Sequence, residues 1–253
     1  MQKLNIWYMS NAGIILETED INIGFDIFTG ENISPYMGLM ENHRNLLMEG
    51  CFFPIVELLT VTHEHHDHFS CKKTGDYLRR HEHTLFWGTK KTQEELIKEE
   101  FISPGRFLSE TSQGENPLWE HANVRIRRIR SSHMGNEALK TEHDSLLVET
   151  DQKHLLITGD ARPGESFYRR LRQYTQKIDV LICPFPFLGL KSARKCLAES
   201  FSPDQIFLVH LPSPELDPGN WISSTVKICQ EARDGLARPV YCQTAGTCYR
   251  LGS

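Results

Sequence analysis

Residues 56–68 read Val56-Glu57-Leu58-Leu59-Thr60-Val61-Thr62-His63-Glu64-His65-His66-Asp67-His68. Apolar and β-branched residues crowd Val56 to Thr62, the pattern of a buried strand. That strand runs directly into a window where four of six residues are histidine and the other two are acidic. In extended backbone, residues i and i+2 point the same way, so His63 and His65 can grip one ion together. Asp67 and His68 lie beyond a bend and point elsewhere, toward a second ion. Imidazole and carboxylate suit zinc, iron or manganese better than calcium or magnesium. Phe69-Ser70 follows, where a helix can begin, and ligands presented at a strand end are a recurrent way to build a site in α/β proteins.

One window supplies fewer ligands than two ions need. Working outward, three other strand ends finish in a metal-capable residue. His133 follows the strand Val124–Ile129, Asp160 follows His154–Thr158 and Gly159, and His210 follows Ile206–Val209. Gly159 allows the backbone a tight approach, giving Asp160 room to reach between two ions. Taken singly, His210 is more often an ordinary partly buried histidine, and Asp160 a helix N-cap.

Around these points the chain alternates strands and helices. Short strands are expected at Trp7–Met9, Gly13–Glu17 and Ile21–Phe28. One or two short helices fall in 29–53, which holds three of the six methionines. Helices near Cys71–His81 and Thr92–Glu100 flank a strand at Thr84–Trp87. A Pro/Gly/Ser-rich passage, 103–117, leads to Val124–Ile129, and a hairpin joins Ser145–Glu149 to His154–Thr158. Further helices are expected at Glu165–Tyr174, Ser192–Ser200 and Trp221–Arg233, and strands at Ile178–Cys183, Ile206–Val209, Pro239–Gln243 and Thr247–Leu251. No linker or composition break interrupts residues 1–253, so one domain is expected.

Composition narrows the function. The chain has 253 residues with 28 Lys and Arg against 33 Asp and Glu, a formal charge of −5, and a mean hydropathy of −0.41. It lacks the global basic footprint of a sequence-independent nucleic-acid binder. The one basic run, Arg125-Ile126-Arg127-Arg128-Ile129-Arg130, reads as a solvated edge strand carrying protective charge. No window approaches the roughly 18 apolar residues of a membrane span, and the opening Met1–Asn5 has no apolar signal-peptide core. Seven cysteines without a C-x-x-C pair argue for a reducing compartment. The expectation is a cytoplasmic protein acting on a small-molecule substrate, with homo-oligomerisation left open.

The series His63-x-His65-x-Asp67-His68, then His133, Asp160 and His210, resembles the ligand set of the metallo-β-lactamase superfamily. The likeness covers nearly the whole chain, since Asn11-Ala12-Gly13 and Phe25-Asp26 also match the superfamily's opening strands. It implies an α/β fold, a four-layer αββα sandwich. It also implies two divalent ions, Zn2+ first with Mn2+ or Fe2+ accommodated. By position, His63, His65 and His133 would hold one, Asp67, His68 and His210 the other, and Asp160 would bridge them. Asp26 resembles the aspartate that supports the ligands from beneath. The implied activity is metal-dependent hydrolysis by a bridging hydroxide, with Asp67 and Asp160 handling protons. The compact branch that includes L-ascorbate-6-phosphate lactonase is the most similar, which points to a lactone or related carbonyl substrate; a small phosphodiester is the alternative, with Arg162 a candidate phosphate contact, and a metal-binding protein without hydrolytic activity is a third reading. Two departures from that branch stand out: Asn11 replaces a common histidine, and Ala161-Arg162 follows Asp160 where a small hydroxyl residue is frequent. The apolar stretches around Tyr36, Met37 and Met40 and at Pro184-Phe185-Pro186-Phe187-Leu188 are candidate pocket walls, with core packing an equal reading for Phe185 and Phe187.

Overall fold

The computed structural model describes residues 3–100, 102–108, 116–135, 141–217 and 219–251. Part of the Pro/Gly/Ser-rich passage, 109–115, lies outside them. The elements begin with β1 (Leu4–Ser10), β2 (Gly13–Thr18), β3 (Asn22–Phe25), α1 (Glu41–Glu49), β4 (Leu58–Thr60), α2 (Cys71–Arg80), β5 (Leu85–Trp87) and α3 (Lys90–Glu100). There follow β6 (Leu118–His121), β7 (Val124–Arg130), β8 (Asp144–Glu149), β9 (His154–Ile157), α4 (Glu165–Leu171), β10 (Val180–Pro184) and α5 (Pro186–Gly189). The chain closes with α6 (Lys191–Ser200), β11 (Gln205–Val209), α7 (Trp221–Glu231), β12 (Val240–Tyr241) and β13 (Thr247–Arg250). They form two compact units, residues 1–114 with 244–253, and residues 115–243. Among the described residues no helix is long and apolar enough to cross a membrane, and all seven cysteines are free thiols.

The first unit is a mixed six-stranded sheet in the order β13-β1-β2-β3-β4-β5. β1, β2 and β3 run antiparallel, while β3, β4 and β5 are parallel. Gly13 opens β2 because nothing larger fits: a Cβ there would lie 2.8 Å from the Asp26 carbonyl oxygen. The core joins Ile15, Ile27, Leu59, Tyr77, Leu78, Phe86 and Leu96, so α2 and α3 bury their apolar stripes on the sheet. β4 is shorter than the apolar run Val56–Thr62 suggests, because side chains take its terminal backbone groups. The Val56 N–H donates to the Tyr77 hydroxyl (2.8 Å), the Thr84 hydroxyl donates to the Val56 carbonyl (2.7 Å), and the Thr62 N–H donates to Asp26 (2.8 Å).

The second unit is a mixed seven-stranded sheet in the order β12-β11-β10-β9-β8-β7-β6. β6 to β9 are antiparallel and β9 to β12 parallel. Its core gathers Ile129, Leu147, Leu156, Tyr168, Leu181, Phe187, Leu197 and Leu208. The reading of Arg125–Arg130 as a solvated edge is corrected here. β6, which the sequence pattern does not reveal, pairs with β7 and makes it an interior strand. Period-2 alternation puts Arg128 on the face of Val124 and Ile126, where it is fully buried against Asp144 at 3.0 Å. Arg130 reaches the other oxygen of the same carboxylate at 2.9 Å. A buried guanidinium needs such a partner; protective surface charge is left to Arg125, which pairs with Glu120 and Glu149.

Candidate metal centre

In the first unit, the loop after β4 carries His63, His65, Asp67 and His68. His63 and His68 are buried, and His65 and Asp67 are half-buried. Asp26 is the anchor beneath them. Its carboxylate accepts the Thr62 N–H at 2.8 Å and the Thr62 hydroxyl at 2.7 Å, and His68 Nδ1 lies 2.8 Å from it. A carboxylate only accepts, so His68 carries its proton on Nδ1 and the Thr62 hydroxyl proton points at Asp26. The Thr62 oxygen can then only accept from His63 Nδ1, 2.9 Å away. One buried aspartate thereby leaves both rings with Nε2 as the basic nitrogen, the orientation a metal ligand needs.

Spacing agrees with that role. His63 Nε2 and His65 Nδ1 are 3.1 Å apart; two tetrahedral nitrogen ligands at about 2.0–2.1 Å from one ion sit about 3.3 Å apart. His68 Nε2 and Asp67 Oδ2 are 3.8 Å apart. Asp67 has its own support, which the sequence did not assign. The buried Asn11 amide donates to the Asp67 carbonyl at 2.9 Å and reaches its carboxylate at 3.5 Å. Asn11 sits at φ 32°, and its own N–H donates to the Met37 carbonyl at 3.0 Å. The segment 29–53, an insertion between β3 and β4, is thus stitched to the histidine window: the Gly30 N–H donates to the His66 carbonyl at 2.6 Å, and the Glu31 N–H to His66 Nε2 at 3.2 Å. Gly30 is required there, since a Cβ would fall 2.1 Å from the His66 ring. His66 is therefore committed to the insertion, and Glu64 to an ion pair with Lys91 at 3.2 Å.

In the second unit, His133, Asp160 and His210 come from three separate strand ends. Asp160 Oδ2 lies 3.7 Å from His133 Nε2 and 3.5 Å from His210 Nε2. One carboxylate oxygen thus faces two imidazole nitrogens. His133 Nδ1–H donates to the Met134 carbonyl, again leaving Nε2 basic. The His133 and Asp160 segments are clamped together by Met134 N–H to the Asp160 carbonyl (2.8 Å) and Arg162 N–H to the Ser132 carbonyl (2.7 Å). Gly159 and His210 both take left-handed backbone, at φ 51° and 56°. That turn is easy for glycine and uncommon for histidine, which marks His210 as held in place by its surroundings.

Asp160 does not cap a helix. α4 begins with Gly164 at its N-cap, four residues past Asp160, and His210 is buried beside a carboxylate. Arg162 is exposed and donates to the Gly135 carbonyl at 3.1 Å. Phe187 is fully buried in the core of the second unit, so it serves packing and not a pocket wall. His143, unassigned by sequence, is buried with Nδ1 2.8 Å from the Ser131 hydroxyl and its ring edge-on to His133 at 5.6 Å.

No family model matches the sequence, and no curated protein matches it. Solved structures do match. Igni18, a metallo hydrolase from the archaeon Ignicoccus hospitalis, superposes with a TM-score of 0.69 at 13% identity, over 99% of each chain. The metallo-beta-lactamase fold protein YhfI from Bacillus subtilis matches at 0.63 and 11% identity, over 99% of this chain and 100% of its own. CmlA, a diiron beta-hydroxylase from Streptomyces venezuelae, matches at 0.68 and 11% identity over 99% of this chain, which spans 54% of that protein. The chain has the metallo-β-lactamase fold.

Proposed function

We propose that the ligand sets of the two units act together in a metal-dependent hydrolase. His63, His65, Asp67 and His68 of the first, with His133, Asp160 and His210 of the second, hold two divalent metal ions. The observation that carries this reading is Asp160 Oδ2, within 3.7 Å of both His133 Nε2 and His210 Nε2. His63 and His68 in the first set and His133 in the second have Nδ1 engaged in hydrogen bonds, so each offers Nε2 without rearrangement. When bound, the ions would lower the pKa of water to about 7 and polarise a substrate oxygen.

The chain's own residues do the rest. Asp26 fixes His63 and His68 through Thr62 and directly, so the ligand geometry is set before substrate arrives. Asp67, held at its carbonyl by Asn11, orients the attacking water and carries a proton toward the leaving group. Asp160 shares this duty. The substrate is a small molecule, and a lactone or related carbonyl is the reading carried over from the resemblance to the compact branch.

Turnover by the zinc- or manganese-supplemented protein on a lactone panel and on bis(p-nitrophenyl) phosphate tests this. EDTA-sensitive lactone hydrolysis well above phosphodiester hydrolysis is expected. The reverse preference would replace the lactone by a phosphodiester, and bound metal without turnover on either would sink the hydrolase reading.

A further inference from the structure

β9, β10 and β11 are adjacent and parallel, so their C-terminal ends lie along one edge of the second sheet. Register fixes what stands there. Ile157 pairs with Ile182, and Pro184 with Val209. The next residues past those ends are Asp160 after its glycine turn, Phe185, and His210. Neighbouring strands are about 4.8 Å apart, so the Phe185 backbone stands one strand spacing from that of His210. Phe185 therefore leaves the sheet at the same edge as two of the proposed ligands.

Phe185 and Phe187 have different fates. Phe187 turns into the core, whereas Phe185 is half-buried and stacks on Trp221, with ring centroids 5.5 Å apart and planes 21° from parallel. Trp221 is 38% exposed. It sits at the end of the connection that leaves His210, where the Asp217 carboxylate accepts the N–H groups of Trp221 (2.8 Å) and Ile222 (3.1 Å). Gly219 lets the indole fold back, because a Cβ there would lie 2.5 Å from Trp221 Nε1. The stack covers one face of each ring, and the exposure of Trp221 leaves part of the indole's apolar surface in water, which costs free energy unless something covers it.

We infer that Phe185 and Trp221 form an aromatic platform beside Asp160 and His210, and that the substrate carries a flat apolar group, such as an aryl ring, next to the cleaved bond. The inference rests on the hydrolase reading for its reacting centre and deepens it to a substrate class.

The test is 19F NMR of protein labelled with 5-fluorotryptophan, which has four tryptophan signals, with Trp221→Phe assigning one. Zinc-loaded protein is titrated with phenylphosphonate and with methylphosphonate. The Trp221 signal should move only with the phenyl compound, and Phe185→Ala should weaken phenylphosphonate roughly fivefold to tenfold while leaving methylphosphonate within about twofold. Equal affinity for the two, with Trp221 still, overturns the platform and leaves the hydrolase reading standing. If neither phosphonate binds, the metal-dependent reading is what fails. Benzyl alcohol, which needs no metal, then decides the platform: a Trp221 shift weakened by Phe185→Ala supports it, and no shift overturns it.

Discussion

The two units build their halves of the proposed centre in opposite ways. The first places His63, His65, Asp67 and His68 on one loop, held by Asp26, Thr62 and Asn11. The second collects His133, Asp160 and His210 from three strand ends, so its geometry depends on sheet register and on two left-handed turns. A contiguous loop can be tuned by hydrogen bonds beneath it. A set assembled by topology is only as good as the core that holds the strands in line.

Four substitutions probe that contrast. Asp160→Ala should have the largest effect, removing the shared carboxylate and with it both ions; metal content near zero is expected, and retention of either ion would break the bridging assignment. Phe187→Ala removes a fully buried ring from the core that aligns β9, β10 and β11, and should cost about 3–5 kcal/mol in a denaturant melt. A variant that keeps its stability but changes KM would instead return Phe187 to the pocket. Asp26→Asn keeps a residue that tolerates the local φ of 50° while exchanging one of the two acceptor oxygens, which serve Thr62 and His68 together, for an N–H donor. It should lower metal affinity or activity about 10–100-fold without changing the number of ions. Asn11→Ala should have the smallest effect, about tenfold or less in kcat with KM and metal content unchanged, since it removes one hydrogen bond that positions Asp67. A loss of metal in Asn11→Ala would show that the amide supports binding instead of proton handling.

The same contrast explains what could be seen in the sequence. The loop ligands were legible because strand and ligands adjoin, and the fold followed from the resemblance that they and the later residues carry. His133, Asp160 and His210 each looked ordinary alone; only their order after strands joined them to the window. The contacts of Asn11 with Asp67 and of Thr62 with Asp26 are not legible in the sequence, because they depend on backbone conformation and on a distant partner, neither of which leaves a spacing pattern. β6 is not legible because Leu118–His121 offers only four residues, two half-buried and two exposed, beside a turn-rich passage, and the status of Arg128 follows from that omission. Phe185 and Phe187 differ by a two-residue step into a short helix, a distinction that composition cannot make.

Metal stoichiometry bears most directly on the account. Elemental analysis of protein purified from metal-supplemented medium should give two divalent ions per chain, both removed by chelation. One ion per chain, or none, would contradict the joining of the two ligand sets into a single dinuclear centre.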